Sequence, residues 1–412
     1  MNYRFQKFAS VYPAFVQQFL ASNPGYEQLS YQELYDKFIN TQYGLSNFYE
    51  KHMKTLGNEA QDIFASFEHL QKLWAEENGL RYEWTEWLRS IVLAQVKSFQ
   101  PDVLYLQDLY LFDRNFRRQM REALTKRVIM IGWRAAPTKD FAVFNDLDLV
   151  LSAGPHLVQM FQRCGAKAMY LPLAFEDTMV EVLGQIRERD LDFTFAGTVG
   201  SRNGAHSQRY HLIEKLMASS PIEVWSDIEE TDGRSKTERL FLKCIYHTSR
   251  SLAAMRVPQR LRAALPLIRK GESWVSDPTL PTLNQLYAGR INHSVFGVEN
   301  YKISARSKIA LNSHIDCFEN YAGNMRLYEV TGMGACLLTD WKINLPDIFE
   351  PDVEVVTYRN VEECIEKVEY LLQNEAERQA IAAAGQKRTL RDHTYRQRVG
   401  ELHQTILRLL RK

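Results

Sequence analysis

The stretch NMRLYEVTGMGACLLTD, residues 324–340, reads as an amphipathic helix, a glycine turn and an apolar strand that ends at Asp340. Glu329 sits in the helix three residues after Arg326. Gly332 and Gly334 let the backbone turn where side chains would collide. Such a helix-turn-strand can offer one carboxylate and a set of backbone N–H groups to a ligand lying beyond the sheet edge.

Working outward, short apolar runs alternate with helical ones. Residues 5–9 read as a first strand, closed by Tyr12-Pro13. Residues 14–57 read as mostly helical, with Phe15, Phe19, Leu34 and Phe38 at apolar positions and a turn at Asn23-Pro24-Gly25. Ser30 opens S-Y-Q-E, a capping box. Residues 59–67 read as a second strand, with helix as the competing reading. PDVLYLQD (101–108), RVIMIGW (127–133) and LDLVLSAG (147–154) are strand-like, and the helical HLVQMFQRC and the run AKAMYLPLA (166–174) follow. This alternation implies βαβ units and a parallel sheet. Ligands then sit beyond the strands' carboxyl ends, here Gln107, Asp108, Trp133 and the 152–156 turn.

After Glu176 the pattern restarts. A polar helical segment at 181–190 reads as the connection. DFTFAGTVG (192–200), a helix near 208–218, IEVWSD (222–227), KIALNSHID (308–316), ACLLTD (335–340) and VEVVTY (353–358) follow. Two long helices then close the chain, the last from about Tyr395 to Leu410. Its Leu402, Ile406 and Leu409 recur at helical spacing. Arg408, Arg411 and Lys412 lie where the helix dipole favours cations. The expectation is an α/β chain with two Rossmann-like domains facing across a cleft: residues 1–180 with a helical elaboration, residues 190–390, and a final helix, 391–412, able to cross back to the first domain.

Composition bounds the function. At 412 residues the chain is too long for one ordinary core. A net charge of +1 gives no global pull toward nucleic acid. The aromatic content of 12% suits carbohydrate-facing clefts and equally suits large cores. Five scattered cysteines (Cys164, Cys244, Cys317, Cys336, Cys364) form no C-x-x-C pair, which argues against a disulfide framework or a zinc site and suits a reducing cytoplasm. The first ten residues lack the apolar run of a signal peptide, and no apolar run approaches the length of a membrane span. The expectation is a soluble cytoplasmic protein, with peripheral membrane contact left open. From Arg234 to Lys270 there are ten Lys or Arg and one acid, Glu238. A solvated helical face and a docking surface for an anionic acceptor or membrane both fit. No internal repeat or low-complexity tract is present.

The blocks NSHID (312–316), ENYAGNMRLYEVTGMGACLLTD (319–340), IFEPDVEVVTY (348–358), NVEECIEKVEYLL (360–372) and RDHTYRQR (391–398) resemble, in order and spacing, the C-terminal domain of CgeB-like bacterial glycosyltransferases. These belong to the broad glycosyltransferase family 1-like group with a GT-B fold. SVYPAF and PDVLYLQDL resemble the same group more loosely. The resemblance implies transfer of a sugar from a nucleotide-sugar to a glycan, lipid-linked or protein acceptor in bacterial glycan or glycoconjugate biosynthesis. It implies no cofactor beyond the nucleotide-sugar. A sugar-nucleotide epimerase and a non-catalytic nucleotide-binding or assembly protein use the same scaffold.

Carried over by the resemblance, Glu329 matches the glutamate that hydrogen-bonds the nucleotide's ribose hydroxyls in a bidentate contact. An i,i+3 ion pair with Arg326 is the alternative. Arg326 and Asn324 are placed to meet the diphosphate, and Asn312, Asn320, Tyr321 and Gly332 fall in the same donor-binding blocks. Many retaining relatives carry E-x7-E, and the first acid of that pair falls on Tyr321, with Glu319 and Asn320 out of register. A retaining mechanism therefore does not carry over. Gly197-Thr198-Val199-Gly200 follows a strand as a phosphate-approaching loop should, with a plain turn as the alternative. It is not G-x-G-x-x-G, which disfavours NAD chemistry. Trp225-Ser226 ends a strand on the same side, as a wall for the base or as core. An inverting enzyme needs a base near the acceptor hydroxyl. Asp108, His156 and His314 are the candidates, each with a structural alternative as cap, first-turn residue or buried imidazole. Asp146-Leu147-Asp148 resembles a metal-holding D-x-D but opens a strand and reads as surface acids. No metal ligand is expected, because GT-B enzymes usually stabilise the leaving diphosphate with helix dipoles and basic residues.

Overall fold

The computed structural model describes residues 2–411 apart from 187, 205, 229–234 and 316–317. Arg234, Asp316, Cys317 and Lys412, named above, lie outside the described residues. Among the described residues, twelve strands form two six-stranded sheets, all parallel. The first holds β1 (Arg4–Ala9), β2 (Glu59–Phe64), β3 (Val103–Leu106), β4 (Ile129–Trp133), β5 (Leu149–Ser152) and β6 (Ala168–Tyr170) in the order β2-β1-β3-β4-β5-β6. The second holds β7 (Leu191–Ala196), β8 (Ile222–Trp225), β9 (Ile291–Asn292), β10 (Ser307–Asn312), β11 (Cys336–Asp340) and β12 (Val356–Tyr358) in the order β12-β11-β10-β7-β8-β9. VLYL in β3 is buried at every position, as expected of strands covered by helices on both faces. The strand reading of 59–67 holds over Glu59–Phe64.

The helices that position the site are α1 (Tyr31–Asn40), α2 (Phe48–Thr55), α3 (Pro155–Arg163), α4 (Ser207–Ser219), α5 (Lys236–Ala254), α6 (Pro266–Ser273), α7 (Val298–Arg306), α8 (Arg326–Gly332), α9 (Val361–Gln373), α10 (Glu375–Asp392) and α11 (Tyr395–Leu410). Ser30 does form its capping box, with its N–H donating to Glu33 Oε2 at 2.9 Å. Two expectations fail. The closing helical stretch is three helices, because the chain breaks at Asn374 between α9 and α10. Among the described residues of the connection at 181–190, helix covers only the end of Met179–Val182, and a turn follows. Arg189 gives the physical reason. Its Nη1 donates to the carbonyls of Ala305 (2.8 Å) and Ser307 (2.9 Å), and its Nη2 to Met333 O (3.0 Å). One guanidinium thus satisfies carbonyls at the carboxyl ends of α7 and α8, which a continuous helix would not allow it to reach.

The first sheet is covered on one face by a cluster including Phe8, Leu104 and Phe161, and on the other by Phe5, Tyr105 and Leu151. That second face also takes Tyr395, Val399, Leu402 and Ile406 of α11, so the end of the chain packs on its beginning. The second sheet buries Phe193, Ile213 and Val368 on the α4 and α9 side, and Ala310, Leu327 and Val330 on the α7 and α8 side. Phe175 joins the halves: its N–H donates to His393 O and its carbonyl accepts from Tyr395 N, each at 2.9 Å.

His393 makes this junction sensitive to acid. Its Nε2 lies 3.0 Å from Ile348 O, so Nε2 carries the proton, and Nδ1 accepts from Arg398 Nη2 at 2.8 Å. Burial lowers its pKa to about 4, and the charges of Arg398 and Arg388 push the same way, against the hydrogen bond to Ile348. Between that value and its ordinary 6.5 the unfolded chain binds the extra proton. Its contribution is full above about pH 6.5 and about 3 kcal/mol is lost as pH falls toward 4. In His393→Gln, the denaturant midpoint should therefore change less over that interval than in the wild type. Parallel pH profiles would place the acid sensitivity elsewhere.

Candidate functional site

In the second sheet the strand order reverses between β7 and β10, which opens a crevice at their carboxyl ends. The chain leaves β7 at Gly197, whose φ of +152° suits glycine. Its N–H donates to Trp225 O (3.0 Å), and Val199 N donates to Ser226 Oγ (3.2 Å), so β7 and β8 share one turn. Thr198 is exposed at its tip. The Trp225 ring packs in a small cluster with Leu191 and Ile303. Arg209, from α4, donates to Thr198 O (2.8 Å) and to Ser313 O, and so clamps the β7 loop to the β10 loop.

Glu329, on α8, is linked to this loop through Arg326. It is 6% exposed. Its Oε2 lies 3.0 Å from Arg326 Nη1 and accepts from Asn300 Nδ2 at 3.2 Å. Arg326 Nη1 also donates to Asn300 Oδ1. A Cβ on Gly197 would come 4.0 Å from Arg326 Nη2. Gly197, Arg326 and Glu329 are therefore brought together, with the i,i+3 pair formed and Asn300 locking it. Sequence reading missed Asn300, because nothing local links position 300 to 329. Beside them, Asn324 Nδ2 donates to Asn312 Oδ1 (2.6 Å), and Asn312 Nδ2 donates to Thr339 Oγ1 (2.9 Å). Asn324 Oδ1 is buried without a hydrogen-bond partner among the described residues.

On the α4 and α9 side of the same edge lies a cavity of about 760 Å³, lined among others by Arg209, Lys215, His314, Asn320, Lys342 and Arg359. That volume is in the range of small-ligand sites. Asp340 organises its floor. Its Oδ1 accepts from His314 N (3.1 Å) and lies 2.7 Å from His314 Nδ1; its Oδ2 lies 3.2 Å from Lys342 Nζ. Burial alone would raise the Asp340 pKa, but the hydrogen bond from His314 and the charges of His314 and Lys342 outweigh it and hold the carboxyl below its ordinary value. Nδ1 of His314 is thereby the donor, and Nε2 is buried with no hydrogen-bond partner among the described residues. The pairing spans 26 residues, so sequence offered no sign of it.

The other predicted residues have different surroundings. His156 stacks on Tyr321 across the cleft, with ring centroids 4.4 Å apart and 17° between planes. Tyr321 thus carries a ring that closes on the other half. Asp108 accepts from Tyr110 N and Leu111 N, each at 3.1 Å, and caps its own turn. At Gly332 a Cβ would lie 2.4 Å from the Phe175 ring, so its small size serves the packing of α8 on the linker. Asp146 pairs with Arg114 (2.7 Å), and Asp148 accepts from Met130 N (2.8 Å).

One trio among the described residues has metal-ligating spacing: His52, Glu176 and Asp177, with ligand atoms within 4.8 Å of one another. Cations already meet its acids. Lys51 Nζ lies 2.8 Å from Glu176 Oε1, and Arg396 Nη2 lies 3.0 Å from Asp177 Oδ2. His52 Nε2 lies 2.9 Å from Glu176 Oε2. Burial would raise the Glu176 pKa, but hydrogen bonds from His52 and Lys51 and their charges bring it down to about 2.

A family model described as "Glycosyl transferase-like" matches residues 257–404. No curated protein sequence matches the chain. Among solved structures, sucrose-phosphate synthase from Thermosynechococcus elongatus is similar at 9% identity and a TM-score of 0.54, over 99% of both chains. Anabaena Alr3699/HepE in complex with UDP-glucose is similar at 9% identity and a TM-score of 0.54, over 98% of this chain and 99% of that one. A glycosyltransferase from Rickettsia africae is similar at 10% identity and a TM-score of 0.53, over 99% of both. At such identities the likeness concerns the fold. The chain has two Rossmann-like domains with parallel sheets in the GT-B arrangement. Among the described residues no helix is long and apolar enough to cross a membrane.

Proposed function

We propose that the chain is a glycosyltransferase of the CgeB-like kind that takes a nucleoside diphosphate-sugar at the carboxyl edge of the second sheet. The observation that carries this reading is the buried Glu329, held by Arg326 and Asn300 beside the Gly197 turn at the sheet's switch point. In this reading Glu329 accepts from the ribose hydroxyls. Arg326 and the loop of Gly197 and Thr198 take the diphosphate, with Asn312, Asn324, Asn320 and Tyr321 around them. The first half, through the edge that carries His156 and Asp108, presents the acceptor. An acceptor oxygen bonds to the anomeric carbon, the bond from that carbon to the diphosphate breaks, and the acceptor's proton passes to a base. We assign the base to His314, whose ring Asp340 orients at the crevice. The cationic groups around the diphosphate stabilise its departure without a metal. The His52, Glu176 and Asp177 trio is read as an ion-paired tie between α2 and the linker.

A panel of nucleoside diphosphates and nucleotide-sugars tested by thermal shift should give one nucleotide that raises the melting temperature by mass action, about 2.7 kcal/mol at a hundredfold excess over Kd. The matching sugar donor should release nucleoside diphosphate faster with acceptor present. No shift with any nucleotide in a folded protein would contradict the reading. Tyr321 at the place of the retaining acid favours one second reading, a non-catalytic nucleotide-binding protein. Binding without turnover on any acceptor would identify it, and turnover without acceptor would identify an epimerase.

A further inference from the structure

Between β8 and β9 the chain leaves the sheet for a helical insertion built on α5 and α6. The two pack closely at Gly271, where a Cβ would lie 2.8 Å from Ser249 Oγ and 3.0 Å from Ile245 Cγ2. At about 100° per residue, α5 has three distinct faces. Ile245 and Ser249 point inward against α6. Lys236, Lys243, His247 and Arg250 share a second face. Leu240, Phe241, Cys244, Thr248, Ser251 and the capping Met255 fall in an arc of about 100° with no charge in it. That third face is in solvent: Leu240 is 62% exposed, Phe241 55% and Met255 74%. Leu261, Leu265 and Leu267, in the segment that follows α5, are exposed as well.

The charge around these side chains is mostly positive, with Glu272 paired to Arg262 and Asp277 meeting His247. Residues 236–270 hold nine Lys or Arg and one acid, Glu238. Lys243, Arg256, Arg260, Arg269 and Lys270 are exposed and have no ion-pair partner among the described residues. A core-facing helix does not leave a second apolar face in water, and a solvated helix does not need one. A second copy of the chain at this face would bring cation against cation. A polyanion such as nucleic acid would use the cations and leave Leu240 and Met255 wet. A bilayer interface with anionic headgroups accepts both: apolar side chains enter the acyl boundary while Lys and Arg stay at headgroup level.

We propose that the uncharged face of α5, flanked by these cations, docks the protein on an anionic membrane surface. The insertion is tied to the crevice. Asn203 and Ser276 exchange two hydrogen bonds of 3.0 Å, and Arg202 Nη2 donates to Pro281 O at 2.7 Å, both just after the loop that starts at Gly197. Docking through α5 therefore places the crevice next to the lipid surface.

The test is sedimentation with vesicles of phosphatidylcholine containing phosphatidylglycerol, and with phosphatidylcholine alone. Binding is expected to the first and not to the second. Lys243→Ala and Arg256→Ala should each weaken it about fivefold. Leu240→Ser with Phe241→Ser should weaken it by about tenfold or more. Absence of wild-type binding overturns the proposal. So does vesicle binding that the two serine substitutions leave unchanged, which would mark a polyanion site. A second readout does not depend on the stability of those variants: a polarity-sensitive fluorophore on the exposed Cys244, with Cys244→Ser as blank, should report an apolar environment on the anionic vesicles. An unchanged emission there also overturns it. Both assays read vesicle contact and not turnover, so they stand apart from the donor reading.

Discussion

Glu329→Ala should weaken binding of the cognate nucleoside diphosphate by tenfold to a hundredfold or more. One carboxylate accepting from two ribose hydroxyls makes charge-assisted hydrogen bonds of about 1.5–3 kcal/mol each, and the substitution removes both. It also frees Arg326 and Asn300, which Glu329 Oε2 holds at 3.0 and 3.2 Å. The guanidinium beside Gly197 then keeps only its bond to Asn300 Oδ1 and is less firmly oriented, so the diphosphate contact weakens with the ribose contact. Glu329→Gln keeps the shape and one acceptor but loses the charge, and should fall between wild type and alanine. Calorimetric titration of the three proteins checks this order. If Glu329 serves only its i,i+3 pair, both variants lose a few tenths of a kcal/mol of stability and no affinity.

Lys7→Met should be the most damaging single change to stability. Lys7 and Asp62 lie opposite one another in the β1 and β2 register, with Nζ 3.4 Å from Oδ2 and both side chains out of solvent. Burial lowers the Lys7 pKa against the pull of Asp62, and burial raises that of Asp62 to about 6 against the pull of Lys7. Removing the lysine leaves a buried carboxylate with no countercharge, a loss of about 3–5 kcal/mol. The sign with pH follows. A carboxyl raised in the folded state binds its proton there first, so its contribution holds at low pH and is lost as pH rises through the folded value. Without Lys7 that value rises further, so the deficit of Lys7→Met should grow above about pH 6 and shrink below it. Adding Asp62→Leu should restore much of the stability, since an apolar pair replaces a buried ionic one at little cost. Denaturant midpoints at two pH values test both points, and a deficit independent of pH would show that lost packing, not charge, is responsible.

Much of the fold was legible because parallel, doubly covered strands are continuous apolar runs, and VLYL, LVLS and CLLTD announce themselves. What failed was set by distant side chains. Residues 181–190 have a helical composition, yet Arg189 is drawn away to carbonyls more than a hundred positions on. Of the candidate site, Glu329, Arg326 and Gly197 were visible as types in a helix and a turn. Asn300 and the pairing of His314 with Asp340 were not, because they depend on strand order. Tyr321 read as a missing acid; only the fold could show that its ring meets His156.

Nucleotide-sugar binding at the second sheet is tested most directly by amide hydrogen exchange with and without the nucleotide-sugar that gives the thermal shift. New protection is expected in the loop from Gly197 to Gly200, after β10 at Ser313 and His314, and through α8 from Arg326 to Gly332, and Glu329→Ala should abolish the α8 protection. Protection confined to the first sheet, or none at these segments despite saturating nucleotide, would contradict it.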